Sequence, residues 1–337
     1  MTIQITLLGL GRTGASMGLA LGRKTGQFER AGFDWRKANA VHALKSNAID
    51  RIEDNLTMSV KNAQVILLAM PMHRVRETLQ GIAAGVREES VFLDTSPARA
   101  SVAAWVKEII PTRCHYVGIN ASLNPRIKLE QGEDIQSARA DLFENGIITI
   151  AAAPGTPSGA IDLAADLAGL IGARPFFCDL AEMDGLTAAM KLVPQLISTT
   201  LLNASLGQPA WRDAIHFAGR EFESASSGIA GREESASLRE AVLLNRTDLL
   251  RSLDMFLAAL QALQSDIENE QGDSLEKKLE AARTGRQKWL KEYNQAGRQD
   301  DNIPGIAMPK AGDYWKQQFG FLLKHPAEKT KPPEKKD

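Results

Sequence analysis

In the first half of the chain, short unbroken apolar runs alternate with stretches whose apolar residues recur every three or four positions. Residues 3–8 form the first strand candidate, residues 13–23 read as a helix, and residues 30–34 as a short second strand. The run at 65–69 (VILLA) carries no polar residue, as expected of a strand covered on both faces. Runs at 91–94, 116–119, 147–152 and 175–178 repeat that form, and helical periodicity separates several of them at 75–85, 101–110 and 158–171. Strand–helix alternation of this kind predicts an α/β fold, a Rossmann-type doubly wound parallel sheet.

The pattern changes near Ala181, and from there to about Tyr293 no strand pattern recurs. Leu249, Leu253, Phe256, Leu260, Leu263 and Ile267 are spaced four, three, four, three, four, which puts one apolar stripe along a long helix. The stripe suits the inner face of a bundle and equally a seam shared with a second subunit, so a homodimer through the helical part is an expectation. The last residues, 324–337, are rich in proline and lysine with little to bury, which predicts disorder, and 300–312 reads as an extended arm. At roughly 150 residues per domain, 337 residues make about two domains. The expected division is 1–179 for the nucleotide-binding part, 180–297 for an all-helical substrate and dimerisation part, and 298–337 for an arm and tail.

Charge narrows the partners. Forty Lys and Arg stand against 41 Asp and Glu, a net charge of -1, so no field exists to hold nucleic acid or an anionic membrane. No apolar stretch approaches the ~20 residues of a bilayer span. The N-terminus runs into a glycine turn with no basic leader, and two cysteines, Cys114 and Cys178, make no disulfide framework. A cytoplasmic location is expected. His42, His216 and His325 lack metal-ligand spacing, so no metal is expected.

The strongest chemical signal is Gly9-Leu10-Gly11-Arg12-Thr13-Gly14, between the first strand and the first helix. Gly9 permits a tight turn, Gly11 lets a pyrophosphate approach the backbone, and Gly14 allows close helix–strand packing. Free N–H groups at the helix start, including those of Arg12 and Thr13, attract phosphate. Asp34, twenty residues past Gly14, is placed to accept from the adenosine ribose hydroxyls, which favours NAD. Arg36, two residues on, keeps NADP open as a 2′-phosphate partner. Met70, Pro71, Thr95 and Ser96 follow further strands at the edge where such sheets bind ligands, so they are expected to flank ribose and nicotinamide.

With these motifs the chain resembles the prephenate/arogenate dehydrogenase family over roughly residues 3–289. The resemblance rests on GLGRTGASMGLAL at 9–21, FDW at 33–35, AQVILLAMP at 63–71, FLDTSPAR at 92–99, YVGIN at 116–120, EMDGLTAAMKLVPQL at 182–196, GIAG at 228–231 and LLNR at 243–246. It implies a nucleotide domain, a helical dimerisation domain, and oxidation of a cyclohexadienyl acid of the tyrosine-biosynthesis type. Hydride passes to the nicotinamide and carbon dioxide is lost. Where the family usually has a His-Pro pair this chain has Asn120 and Ala121. Pro97 stands where a serine is usual. Met183 and the surroundings of Leu192 and Gln195 stand where histidines are usual. Gly228 stands where a substrate-binding arginine is usual. Four departures together imply an altered substrate site or lost catalysis.

A second resemblance bears on what replaces those groups. The segment 185–195 (GLTAAMKLVPQ) is similar to the Gly…Lys-x-x-x-Asn segment of the β-hydroxyacid dehydrogenases, whose lysine transfers the proton. It implies Lys191 as proton-transfer group, with Gln195 one turn later on the same face, and burial would suit Lys191 to that work. Asn120 can exchange hydrogen bonds with a substrate but cannot act as a base near neutral pH. Lys191, Asn120 and Gln195 are thus the catalytic candidates for a small carboxylic-acid substrate. A catalytically silent NAD-binding protein is the remaining reading. His73, His115, Arg126 and Lys128 are lesser candidates, and Ser226-Ser227-Gly228 reads as a helix break.

Overall fold

The computed structural model describes residues 2–296 except 24, 25, 27, 112, 125, 128–133 and 230–233. The arm and tail expected at 298–337, and Lys128, lie outside the described residues. The sheet half runs β1 (Ile3–Leu8), α1 (Arg12–Gly22), β2 (Phe28–Phe33), α2 (Lys37–Lys45), β3 (Arg51–Ile52), α3 (Leu56–Ser59), β4 (Val65–Leu68) and α4 (Met72–Ile82). It continues with β5 (Val91–Asp94), α5 (Arg99–Ile109), β6 (His115–Ala121), β7 (Ile147–Ala151), α6 (Ser158–Leu170) and β8 (Arg174–Cys178). The strands make one eight-stranded sheet in the order β3-β2-β1-β4-β5-β6-β7-β8. The order reverses between β1 and β4, and their carboxyl ends border the crevice where this class of sheet takes ligands.

One expectation needs correction: the sheet is not wholly parallel. β6 and β7 pair antiparallel, with Gly118 opposite Ala151, while every other pair is parallel. The connection 122–146 carries no helical periodicity, and its described residues hold only a short 3₁₀ turn at Ile135–Ser137. A parallel return is usually built on a crossover helix. The two-residue β3 and the helices α2 and α3 were not expected. α4 starts three residues before the periodic stretch because Pro71, at its N-cap, fixes the entry of the chain. β4 and β5 are buried at every position, which accounts for their unbroken apolar runs.

The helical half follows: α7 (Leu180–Thr187), a π-turn at Ala188–Leu192, α8 (Val193–Leu206), α9 (Trp211–Ala214), α10 (Arg220–Ser226), α11 (Ser235–Leu244), α12 (Arg246–Glu268) and α13 (Gly272–Ala296). Pro194 explains the π-turn. It has no N–H for the Met190 carbonyl and its ring would collide with that oxygen, so the turn before it widens. Ala188, Leu192, Val193, Ala241 and Leu249 join Leu68, Val75, Leu79, Phe92 and Val102 in one apolar cluster. The helices therefore extend the core on the α4–α5 side of the sheet. The stripe on α12 divides: Leu249 is buried, whereas Phe256, Leu260 and Ile267 are exposed in the single chain. No helix among the described residues is long and apolar enough to cross a membrane.

A buried cation ties the helices to the sheet. Arg99, the first residue of α5, is 1% exposed. Its Nε and Nη2 donate to the Ile119 carbonyl at 3.2 and 3.1 Å, and Nη1 donates to Thr187 Oγ1 at 3.1 Å. Asp184 of α7 lies 3.6 Å from Nη1 and accepts the Arg99 and Ala100 amides at 3.0 and 2.8 Å, so it also caps α5. Gly118 leaves room for the arginine stem, since a Cβ there would meet Arg99 Cδ at 2.8 Å. Burial pushes the Asp184 carboxyl above its ordinary pKa, against the pull of the two amides and of Arg99. Replacing Asp184 by alanine leaves a buried cation short of its counter-charge and two amides unpaired. We expect Asp184→Ala to lower stability by about 3–5 kcal/mol, read as a lower urea midpoint with an unchanged slope. An unchanged midpoint contradicts the lock.

Candidate functional site

The glycine turn sits at the carboxyl end of β1. Gly9 has φ +96°, which favours glycine, and its amide donates to the Phe33 carbonyl at 2.9 Å. A Cβ at Gly9 would meet the Ala69 carbonyl oxygen at 2.3 Å, and one at Gly14 the Gly9 oxygen at 2.0 Å. Both glycines are thus required by internal packing. Gly11 is different, because a Cβ there meets nothing within 4 Å. The space it keeps open is outside the fold, at the N-cap of α1, where no side chain caps the helix. The amides of the first turn face an anion site of the kind helix starts provide.

Asp34 opens the crossover that follows β2. Its Oδ2 accepts the Leu10 amide at 2.7 Å, so the carboxylate holds the glycine turn in shape. Its Oδ1 accepts the Arg36 amide at 2.7 Å and Asn39 Nδ2 at 3.3 Å. A carboxylate offers about four acceptor positions, so Asp34 keeps capacity for a ribose hydroxyl. Arg36 is exposed and reaches Glu234, which also approaches His73 at the start of α4. Arg12 is buried beside the turn, while Thr13 is only partly covered.

The other edge residues divide. Met70 and Pro71 lie on the turn between β4 and α4, with Pro71 exposed. Thr95 spans to the β4 end, its Oγ1 donating to the Leu68 carbonyl at 2.9 Å. Ser96 is drawn inward: it is buried and donates to Asp94 through its amide at 2.9 Å and its hydroxyl at 2.6 Å. Tyr116 donates to the same Asp94 Oδ2 at 2.6 Å. Burial raises the pKa of Asp94, and raises that of Tyr116 well above the usual phenol value, with the Asp94 charge adding to it. The Ser96 hydroxyl therefore serves this interior cluster and does not line the cofactor edge.

Asn120 is exposed at the carboxyl end of β6, its Oδ1 accepting from Arg99 Nη2 at 3.4 Å. Lys191 lies in the π-turn and is exposed in the single chain, without the burial that would suit it to proton transfer. Gln195 lines a cavity of about 550 Å³ together with Thr199, Gly228, Leu238 and Arg239. Lys191 is not among the residues that line that cavity. A Cβ at Gly228 would meet Ser198 Oγ at 2.6 Å and the Pro194 oxygen at 3.1 Å, so no larger side chain fits there unaided. His115 stands at the opposite, amino end of β6, 2.9 Å from Glu89, whose pKa is lowered by that contact and by Arg113. Arg126 is exposed. No group of metal-ligating residues occurs among the described residues. Sequence reasoning missed Asp94, Arg99, Tyr116, Asp184, Glu234 and Arg239. Of these, Asp94, Arg99, Tyr116 and Asp184 lie inside the motifs given above, but nothing in their spacing signals that Arg99 pairs with Asp184 or Tyr116 with Asp94.

The sheet order, the glycine turn at its switch point and the helices packed on one face define a dinucleotide-binding dehydrogenase fold with a helical C-terminal region. Residues 17–176 match the family model described as prephenate dehydrogenase, nucleotide-binding domain. A prephenate dehydrogenase of Bacillus subtilis (strain 168) is 23% identical over 277 residues, covering 80% of this chain and 72% of that protein. A cyclohexadienyl dehydrogenase of Zymomonas mobilis is 23% identical over 274 residues, covering 80% of this chain and 90% of that one. The prephenate dehydrogenase of A. aeolicus, solved with hydroxyphenyl propionate and NAD+, superposes with a TM-score of 0.75. It is 16% identical, with 86% of this chain and 98% of that one covered, which establishes a shared fold. Residues 17–176 thus carry a nucleotide-binding domain of the prephenate dehydrogenase type, and the chain as a whole is similar to prephenate and cyclohexadienyl dehydrogenases.

The three glycines make separable predictions. Gly11→Ala is expected to keep the thermal midpoint of the parent while losing dinucleotide binding by calorimetry. Gly14→Ala is expected to lower the midpoint as well, because its methyl meets backbone. Equal effects of the two substitutions on stability contradict this assignment.

Proposed function

We propose that this chain is an NAD-dependent dehydrogenase of a small carboxylic acid, with a substrate site altered from that of its relatives. The observation that carries the cofactor part is Gly11, a bare position that the fold itself does not require. Bound NAD supplies the nicotinamide that accepts a hydride from the carbon bearing the substrate hydroxyl. The glycine turn takes the diphosphate, Asp34 the adenosine ribose, and Met70, Pro71 and Thr95 the edge towards the nicotinamide. Asn120, steadied by Arg99, is the hydrogen-bonding partner for the substrate hydroxyl. Gln195 lines the cavity where the substrate body rests, against Leu196, Ile229, Leu238 and Val242. Arg239 enters the same cavity from α11 and has no carboxylate partner among the described residues. It offers the guanidinium that Gly228 cannot. Of the three catalytic candidates only Lys191 can take the hydroxyl proton.

Homodimerisation belongs to the same reading. Phe256, Leu257, Leu260 and Ile267 on α12, with Leu279 and Trp289 on α13, are all exposed in the single chain. An apolar surface of that extent marks an interaction site. A cytoplasmic location fits the two free cysteines, of which Cys114 is pushed by burial to a pKa of about 11 and is no ready nucleophile.

Two outcomes test this function. A panel of prephenate, arogenate and 3-hydroxy acids is expected to give NADH formation at 340 nm with at least one member. Lys191→Ala is expected to lower that kcat about 10²–10⁴-fold with NAD affinity unchanged. Absence of turnover with every member supports a silent NAD-binding protein, and full activity of the variant removes the lysine from the mechanism. The solution mass is expected at twice 36.6 kDa, and Leu260→Asp is expected to halve it. A monomeric parent contradicts the dimer.

A further inference from the structure

Glu234, of the helical half, meets two side chains near the glycine-turn edge at once. Its Oε1 accepts from Arg36 Nη2 at 2.6 Å, and its Oε2 lies 3.3 Å from His73 Nε2. Arg36 and His73 belong to different crossovers of the sheet, one following β2 and the other opening α4. The pair is solvent-exposed, with the Arg36 and Glu234 side chains 66% and 40% exposed, but the backbone that carries Glu234 is anchored. Glu234 immediately precedes α11, which is fixed to α4 by the Met72 amide donating to Ser237 Oγ at 2.9 Å, with Ser237 buried. Ala241, one turn further, is buried in the same apolar cluster as Val75.

The position matters because of what Arg36 would otherwise do. Asp34 marks the adenosine ribose, and Arg36 is two residues past it with its amide on the Asp34 carboxylate. A guanidinium so placed is the natural partner of a ribose 2′-phosphate. Here its charge is already met by Glu234, and a phosphate arriving there would face two carboxylates, Asp34 and Glu234. The ribose hydroxyls of the unphosphorylated cofactor need neither the arginine nor its charge.

We propose that Glu234, contributed by the helical half, is a specificity determinant that excludes the 2′-phosphate by occupying Arg36. The inference rests on the dinucleotide reading of the glycine turn and deepens it: the cofactor choice is made by both halves of the chain. Glu234 also ties Arg36 to His73 across the adenosine side, so cofactor selection is coupled to the seating of α11 on α4.

The test is a calorimetric titration of NAD and NADP into the parent chain, Glu234→Gln, Arg36→Ala and the double variant. Glutamine keeps the shape and removes the charge. In the parent, NAD is expected to bind and NADP to bind at least about tenfold more weakly. Glu234→Gln is expected to strengthen NADP binding about tenfold or more while NAD changes less than about threefold. The gain is expected to vanish in the double variant, because it runs through the arginine, and to shrink as salt is raised. An unchanged NADP-to-NAD ratio in Glu234→Gln, with NAD bound by the parent, overturns the role of Glu234 alone. A gain that survives loss of Arg36 overturns it too. Failure of the parent to bind either dinucleotide overturns the cofactor reading together with this inference.

Discussion

A guanidinium removed from water must be met by acceptors on every side, and Arg99 is the residue on which this requirement falls. Its stem crosses Gly118, its head takes the Ile119 carbonyl, and its charge is answered by Asp184 from α7. Each of those partners is then fixed in turn. Gly118 cannot carry a side chain, β6 must end beside α5, and α7 must start where Asp184 reaches two amides of α5. Asn120, two residues past Gly118, is held at the rim by the same guanidinium. The position of the helical half over the sheet edge follows from satisfying one buried charge, and the edge it covers is the one that carries the glycine turn.

Around that edge the chain keeps its anionic and cationic groups in a deliberate balance. Asp34 shapes the turn through the Leu10 amide while keeping acceptor capacity for a sugar. Asp94 is buried beneath the edge under three hydrogen bonds from Ser96 and Tyr116. Such fully donated carboxylates stiffen a loop without exposing charge to a ligand. What faces outward is the uncapped start of α1, and a dinucleotide diphosphate is the chemistry that suits it.

Much of the sheet was legible because burial on both faces writes itself as an apolar run: β4 and β5 were readable from VILLA and VFLD alone. The glycine turn was legible because φ sign and close approach leave only one residue type possible at Gly9 and Gly14. The strand at β7 is legible as an apolar run, whereas its antiparallel direction is signalled only by the lack of helical spacing at 122–146. Arg99 escaped because arginine is a surface residue in most settings, and only the fold brings Ile119, Thr187 and Asp184 around it. Glu234 escaped for a simpler reason: its partner Arg36 is 198 residues away in sequence. Lys191 shows the opposite case, a motif resemblance at a position that is exposed in the single chain.

Amide hydrogen exchange of the whole chain with and without NAD reads the position of the dinucleotide directly. Added NAD is expected to slow exchange in peptides covering residues 9–15, 33–37 and 69–73, and to leave β7, α6 and β8 unaffected. Protection absent from the glycine turn, or appearing only around the helical cavity, contradicts the central claim.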